Sequence, residues 1–161
     1  MTKNNWSVAD ICDEFPDSFS VLPQIFRPYG NIKKCQGKIE TVLLEEDNRK
    51  LIDLLGQEGN GRIVVVQCPK QESALFGDKL ANIAIHHHWG GVIVHGAIRD
   101  ISQLREMPIC AFASATYPVR GKQNGGGEIG VTITVGDAVL RPNDYIYADE
   151  DGIIISTKEL F

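Results

Sequence analysis

No apolar run in these 161 residues approaches the length needed to cross a bilayer, and the opening Met-Thr-Lys-Asn-Asn-Trp-Ser-Val-Ala-Asp is polar where a signal peptide is apolar. A soluble cytoplasmic protein with no membrane partner is expected. Basic runs and stripes are also missing, with 16 Lys and Arg against 21 Asp and Glu and a formal charge of -5. Direct nucleic-acid binding is thereby excluded. The four cysteines, Cys12, Cys35, Cys68 and Cys110, are widely spaced and form no CxxC pair. Neither a zinc site nor a disulfide framework is indicated, and buried, reduced thiols are expected. No internal repeat and no low-complexity tail interrupts the chain. Residues 117–127 set Arg120 and Lys122 near the run Gly125-Gly126-Gly127, but the spacing fits no P-loop, so a mobile connector is expected there.

What is present suits one substantial core. At 43% hydrophobic content the chain is long enough for one domain, 1–161, and too short for two comfortable ones. Ser7 can cap a short helix over 8–15, with Pro16 and Pro23 punctuating a surface segment behind it. The run 31–46 is β-rich and broken by Gly37, which reads as one long or bulged strand. Asp47 or Asn48 then caps a helix carrying Leu51, Ile52, Leu54 and Leu55, and Gly59-Asn60-Gly61 turns the chain into the apolar strand 62–66. Central βα units therefore predict a mixed, partly parallel sheet. A short helix or turn at 101–105 and a strand at 109–116 follow. Clean alternation over 131–135, and Tyr145-Ile146-Tyr147 joined to Ile153-Ile154-Ile155 through an Asp-Gly turn, make the last third β-rich.

The chain is organised around its stretch 77–100. Leu80, Ile83, Ala84 and His87 fall on one face of an amphipathic helix over 78–88, Gly90-Gly91 stops it, and Val92-Ile93-Val94 reads as a strand buried on both faces. About eleven helical residues at about 1.5 Å each, then about five extended ones at about 3.3 Å, make an out-and-back excursion of roughly 16 Å. Asp78 would then emerge beside Arg99 and Asp100. That edge would offer backbone N–H groups, a guanidinium and two carboxylates, which suits a small anion and a metal ion.

Each residue also has a plainer reading. Asp78 alone reads as a helix cap, and Arg99-Asp100 alone as a solvated pair. His86-His87-His88 cannot converge on one ion, because successive helical residues point about 100° apart. His95 is a pocket wall or proton donor on one reading and a packing residue on the other. Glu128 and Asp149-Glu150-Asp151 are simplest as loop solubility, with reach to a neighbouring subunit as the alternative.

Gly77-Asp78-Lys79-Leu80 followed by Gly96-Ala97-Ile98-Arg99-Asp100 resembles the family of the regulator of ribonuclease E activity A and the class II 4-hydroxy-4-methyl-2-oxoglutarate aldolases. Ala9-Asp10-Ile11-Cys12-Asp13, Trp89-Gly90-Gly91-Val92, Tyr145-Ile146-Tyr147-Ala148-Asp149 and Gly152-Ile153-Ile154 extend the likeness over nearly the whole chain. The resemblance implies an α/β fold of three-layer ββα swivelling-domain type and a homotrimer. It also implies a metal-dependent lyase that cleaves the aldol to pyruvate and decarboxylates oxaloacetate. Catalytic roles fall to Asp78, Arg99 and Asp100, and binding of a small α-keto acid to Gly77, Asp78, Lys79, Leu80 and Arg99. Mg²⁺ or Mn²⁺ would be held directly by Asp100 and through water by Asp78. The aldolases also draw an acidic residue from an adjacent subunit's C-terminal region, which has no obvious counterpart here. The alternative is a protein-binding inhibitor of ribonuclease E, against which the acidic Asp100 after Arg99 counts, since the regulators typically lack it. A methyltransferase of menaquinone synthesis is set aside, because no glycine-rich nucleotide loop with an acidic ribose partner is present.

Overall fold

The computed structural model describes residues 1–2 and 4–161. Helix α1 (Val8–Glu14) opens where the extended Ser7 side chain accepts from the Asp10 N–H at 3.0 Å. The short strands β1 (Ser20–Val21) and β2 (Arg27–Pro28) follow, then β3 (Cys35–Leu43) and α2 (Arg49–Leu55). Next come β4 (Ile63–Gln67), β5 (Ala74–Phe76), α3 (Asp78–His86), β6 (Gly91–Ile98), α4 (Ile101–Arg105) and β7 (Ala111–Thr116). The last third is β-rich, with β8 (Glu128–Ile129), β9 (Ile133–Val135), β10 (Ala138–Leu140), β11 (Tyr145–Asp149) and β12 (Gly152–Ser156).

The main sheet runs β1-β12-β11-β3-β4-β6-β7-β2, parallel from β3 to β7 and antiparallel on both flanks. Its central strands carry apolar residues on both faces, and their period of two divides them between two cores. Val64, Val66, Val92, Val94, Ala111 and Ala113 pack toward α2, α3 and α4, whereas Ile63, Val65, Ile93 and Phe112 pack toward the curled flank and the β9–β10 ribbon. A smaller cluster of Trp6, Val8, Ile11, Tyr147, Ile154 and Leu160 fixes α1 to the outside of β11 and β12. This is the expected layered α/β architecture, and the free thiols of Cys35, Cys68 and Cys110 are buried in it while Cys12 is partly exposed.

Several expectations need correction. The long strand predicted over 31–46 contracts to Cys35–Leu43. The helix predicted over 78–88 ends at His86, with His87 as its cap and His88 turned left-handed at φ 62. Strand β6 extends to Ile98, so Gly96, Ala97 and Ile98 lie within it rather than beyond it. Strand β5 was not expected. Residues 117–127 are stitched down rather than left as a loose connector: Ala74 N–H donates to Val119 O at 2.8 Å, Gly121 N–H to Ala74 O at 3.1 Å and Lys122 N–H to Glu46 O at 2.7 Å.

Candidate functional site

Asp78 does meet Arg99 and Asp100, though not because helix and strand have equal lengths. Nine helical residues advance about 13 Å and eight strand residues span about 26 Å, so the excursion is lopsided. The closure comes from β5, which pairs in parallel with the end of β6 and sets Phe76 opposite Ile98. Arg99 N–H then donates to Phe76 O at 3.0 Å, which brings the residues after Phe76 alongside those after Ile98.

Two backbone features shape the corner. Asp100 adopts the left-handed conformation, φ 63 and ψ 41, as the cap of α4, a region in which Asp is among the few tolerated side chains. Its Oδ2 accepts from the Asp78 N–H at 3.1 Å, at the start of α3 where positive dipole and open N–H groups favour an anion. Gly77 leaves the space for this: a Cβ there would collide with Asp100 Oδ2. Ala81 N–H closes the first helical turn onto Gly77 O at 3.0 Å. The N–H groups of Lys79 and Leu80 lie in the turn that α-helix geometry leaves without intrahelical partners.

These groups line one cavity of about 420 Å³, bounded also by Asn48, Ile52, Ile83, Arg120 and Gln123. All six expected residues, Gly77, Asp78, Lys79, Leu80, Arg99 and Asp100, border it. Arg99 Nη1 donates to Pro118 O at 3.3 Å, and neither Arg99 nor Arg120 enters an ion pair among the described residues. Sequence reasoning took Asn48 only as a possible helix cap and set Arg120 aside as part of a connector. Asn48 is buried, its Nδ2 donates to Leu75 O at 3.1 Å, and its Oδ1 has no partner among the described residues. The adjacent Asp47-Asn48 pair before a helix was the available signal, but it reads equally well as a simple cap.

Asp47 holds the far wall. Its Oδ1 accepts from Arg49 N–H at 2.9 Å and its Oδ2 from Asn124 and Gly125 N–H at 2.7 and 3.1 Å. Burial pushes this carboxyl up, but the backbone donors of Arg49, Asn124, Gly126 and Gly125 together hold it below its ordinary value.

The other candidates lie elsewhere. His95 does not border the cavity; its half-buried ring packs edge-on against Phe26 at 6.0 Å between centroids, and desolvation holds its pKa down. His88 pairs with Glu58 at 3.1 Å on the surface, away from the site. Asp149 instead serves the fold, accepting from Val8 N–H at 2.8 Å.

For a cation, the cavity supplies two carboxylates, Asp78 and Asp100, and among the described residues no group of three or more His, Cys, Asp or Glu could hold a metal. Asp100 engages one oxygen with a backbone N–H, while a carboxylate has about four acceptor positions. That donor set fits a hard ion that keeps several of its waters and does not fit a closed protein cage.

The sequence profile of the RraA-like family, described as Aldolase/RraA, matches residues 8–155. The chain is 41% identical over 155 residues to a protein of Vibrio vulnificus and 38% identical over 153 residues to one of Laribacter hongkongensis, covering 94% of itself in each case and 94% and 96% of the relative. Both bear the name "Putative 4-hydroxy-4-methyl-2-oxoglutarate aldolase". Among solved structures it is similar to a Geobacillus kaustophilus protein described as an S-adenosylmethionine: 2-dimethylmenaquinone methyltransferase, at TM-score 0.93 and 37% identity over 96% of this chain and 97% of that one. It is also similar to the RNA-processing inhibitor RraA of a Thermus species, at TM-score 0.91 and 33% identity over 96% and 94%.

Proposed function

The chain belongs to the RraA-like family, and from that premise we propose that it is a carbon–carbon lyase acting on 2-oxo acids, a 4-hydroxy-4-methyl-2-oxoglutarate aldolase that also decarboxylates oxaloacetate. One observation carries the reading: Asp78, Arg99 and Asp100 border a single cavity, with Asp78 N–H bonded to Asp100 Oδ2 at 3.1 Å.

A 2-oxo acid entering head first meets the Arg99 guanidinium, which binds a carboxylate through charge-assisted bonds, and the open N–H groups of Lys79 and Leu80. In the aldol the C4 hydroxyl loses its proton, the C3–C4 bond breaks, and its electron pair moves toward the C2 keto oxygen. One pyruvate leaves and the other forms as an enolate that takes a proton at C3. In oxaloacetate the same pair comes from the bond to the C4 carboxylate, which leaves as CO₂. Both routes build negative charge on the oxygen facing Arg99 and the start of α3, where fixed donors stabilise it without reorganising. The Asp78 side chain orients a water toward that point. A Mg²⁺ or Mn²⁺ ion held directly by Asp100 and through water by Asp78 would supply Lewis-acid polarisation of the keto oxygen.

The test is pyruvate release from both substrates, with and without Mg²⁺, by the wild type and Asp100→Ala. Expected are turnover that needs the ion and a variant that loses it. An inert wild type, or a variant equal to it, refutes the lyase. Likeness to the Thermus inhibitor supports a second reading, a ribonuclease E regulator acting by protein contact; absence of a complex at micromolar concentrations would sink it. The methyltransferase description of the Geobacillus protein finds no support in this cavity, whose strand-to-helix corner has the single glycine Gly77 and no glycine-rich nucleotide loop. A homotrimer and a cytoplasmic setting complete the proposal, checked by sedimentation and by fractionation.

A further inference from the structure

Two thiols that no step of the lyase uses share a space opened by a glycine. Cys35 begins β3, Gly91 begins β6 and Cys110 stands immediately before β7. Val92 N–H donates to Cys110 O at 2.9 Å, which sets Gly91 and Cys110 side by side at the amino ends of the parallel strands. Gly91 presents no Cβ there: one would stand 3.1 Å from Cys35 Sγ and 3.3 Å from Cys110 Cβ. The two cysteines thus meet over the bare glycine, and their thiols are hydrogen-bonded to each other. That bond, and then burial, push the Cys35 thiol well above its ordinary value. Ile63, Ile93 and Phe112 pack in the same core and hold both side chains in place. Cys35 alone of the pair meets the outside. It is 8% exposed and borders a recess of about 350 Å³ with Trp6, Lys34, Gln36 and Gly90, whereas Cys110 is 1% exposed. The remaining cysteines are placed differently, Cys68 donating to Lys70 O at 3.0 Å in the opposite core and Cys12 partly exposed on α1.

We propose that Cys35 and Cys110 form a thiol-oxidation site, which hydrogen peroxide converts into an intramolecular disulfide clamping the start of β3 to the entry of β7. The recess admits the oxidant to Cys35. Its sulfur gives up the proton and attacks one peroxide oxygen, the O–O bond breaks, and water departs to leave a sulfenic acid. The Cys110 sulfur then attacks the Cys35 sulfur, the S–O bond breaks, and the hydroxyl leaves with the Cys110 proton as a second water. The two thiols together lose two electrons, and the peroxide gains them. Only a thiolate attacks, so the first step is slow and answers sustained exposure to oxidant. A partner thiol already in contact traps the sulfenic acid before more peroxide carries it to sulfinic acid. The clamp closes a loop of about 75 residues, everything from β3 to α4, and so constrains the unfolded chain strongly. It sits at the amino end of β6, while the cavity lies past the carboxyl end, eight strand residues or about 26 Å away. Oxidation therefore tightens the fold without entering the site.

The test treats the reduced, folded protein with millimolar hydrogen peroxide, alkylates the remaining thiols in denaturant and maps the peptides by mass spectrometry. Expected for the wild type are two thiols lost, a mass lower by about 2 Da, and one peptide joining Cys35 to Cys110. The unfolding midpoint should rise by about 5–15 °C, and dithiothreitol should reverse both changes. In Cys110→Ala no link forms, Cys35 proceeds to sulfinic acid with a gain of about 32 Da, and the midpoint does not rise. Cys12→Ala keeps the link and the rise. Should Cys110→Ala fold poorly, the wild-type map decides by itself. Oxidation of Cys12 or Cys68 with Cys35 and Cys110 still reduced overturns the proposal. So does sulfinic acid on wild-type Cys35 beside a free Cys110, and so does a link that lowers the midpoint.

Discussion

The two ends of the α3–β6 unit are built on opposite principles. At the 87–90 end, the Trp89 indole N–H donates to Leu55 O and Gln57 O at 3.1 and 3.0 Å, and the Arg62 guanidinium lies 4.7 Å over its ring. Trp89 is buried there, and a Cβ on Gly59 would lie 2.6 Å from its Cγ, so the space is filled. At the 77–100 end, the same helix and strand leave a cavity edged by two arginines and two carboxylates. One end holds the pair together and the other leaves polar groups facing a space. Close packing and open polar groups are thus separated between the two ends of one helix–strand unit.

That separation can be broken from either side. The largest expected effect is at the open end: Asp100→Asn, which keeps a side chain tolerant of the left-handed backbone, should lower kcat for pyruvate release about 10²- to 10³-fold while the unfolding midpoint moves little. At the filled end, Trp89→Ala should cost about 3–5 kcal/mol, read in a denaturant titration, with kcat of the folded protein preserved.

A matched pair of glycines sharpens the contrast. Gly77→Ala puts a methyl against Asp100 Oδ2 and should reduce turnover by about 10²-fold through a displacement near 1 Å. Gly59→Ala puts the same methyl against Trp89 and should cost about 1–3 kcal/mol of stability with turnover intact. If the two variants behave alike, the division of labour is wrong.

The smallest effect concerns Asp47. Its folded carboxyl lies below the ordinary 3.8, so its stabilising contribution is complete above that value and is lost as pH falls through the folded one. Asp47→Asn should therefore melt a few degrees lower than the wild type at neutral pH, with the gap closing below about pH 4. A gap of constant size down to pH 2 would show that the carboxylate's charge is irrelevant.

Much of this was legible in the residues. The apolar runs at 63–66 and 92–94 announced strands buried on both faces, and the glycine stops around them set the boundaries to within a few residues. The convergence of Asp78 with Arg99 and Asp100 was read correctly from an incomplete cause. Strand β5, which makes it, is the three-residue Ala-Leu-Phe, too short for any period to register. Arg120 stayed hidden for a related reason. Its segment is rich in glycine and polar residues, the composition of a loose loop, and it is held by Asp47 and Ala74, partners that lie 40 or more residues earlier in sequence and are invisible to local pattern. His95 looked close to the site because of its place after Val94, but alternation along β6 turns it to the opposite face, toward Phe26.

The cavity borrows its walls from four stretches of chain, around Asn48, Gly77, Arg99 and Arg120. A bound acid therefore bridges segments far apart in sequence, and it can hold on only while all of them are folded. Any ligand at 100 times its dissociation constant would then add about 2.7 kcal/mol to the folding of the whole molecule. A simple melting screen across mono- and dicarboxylic acids would rank its ligands without the need to know which bond is cut.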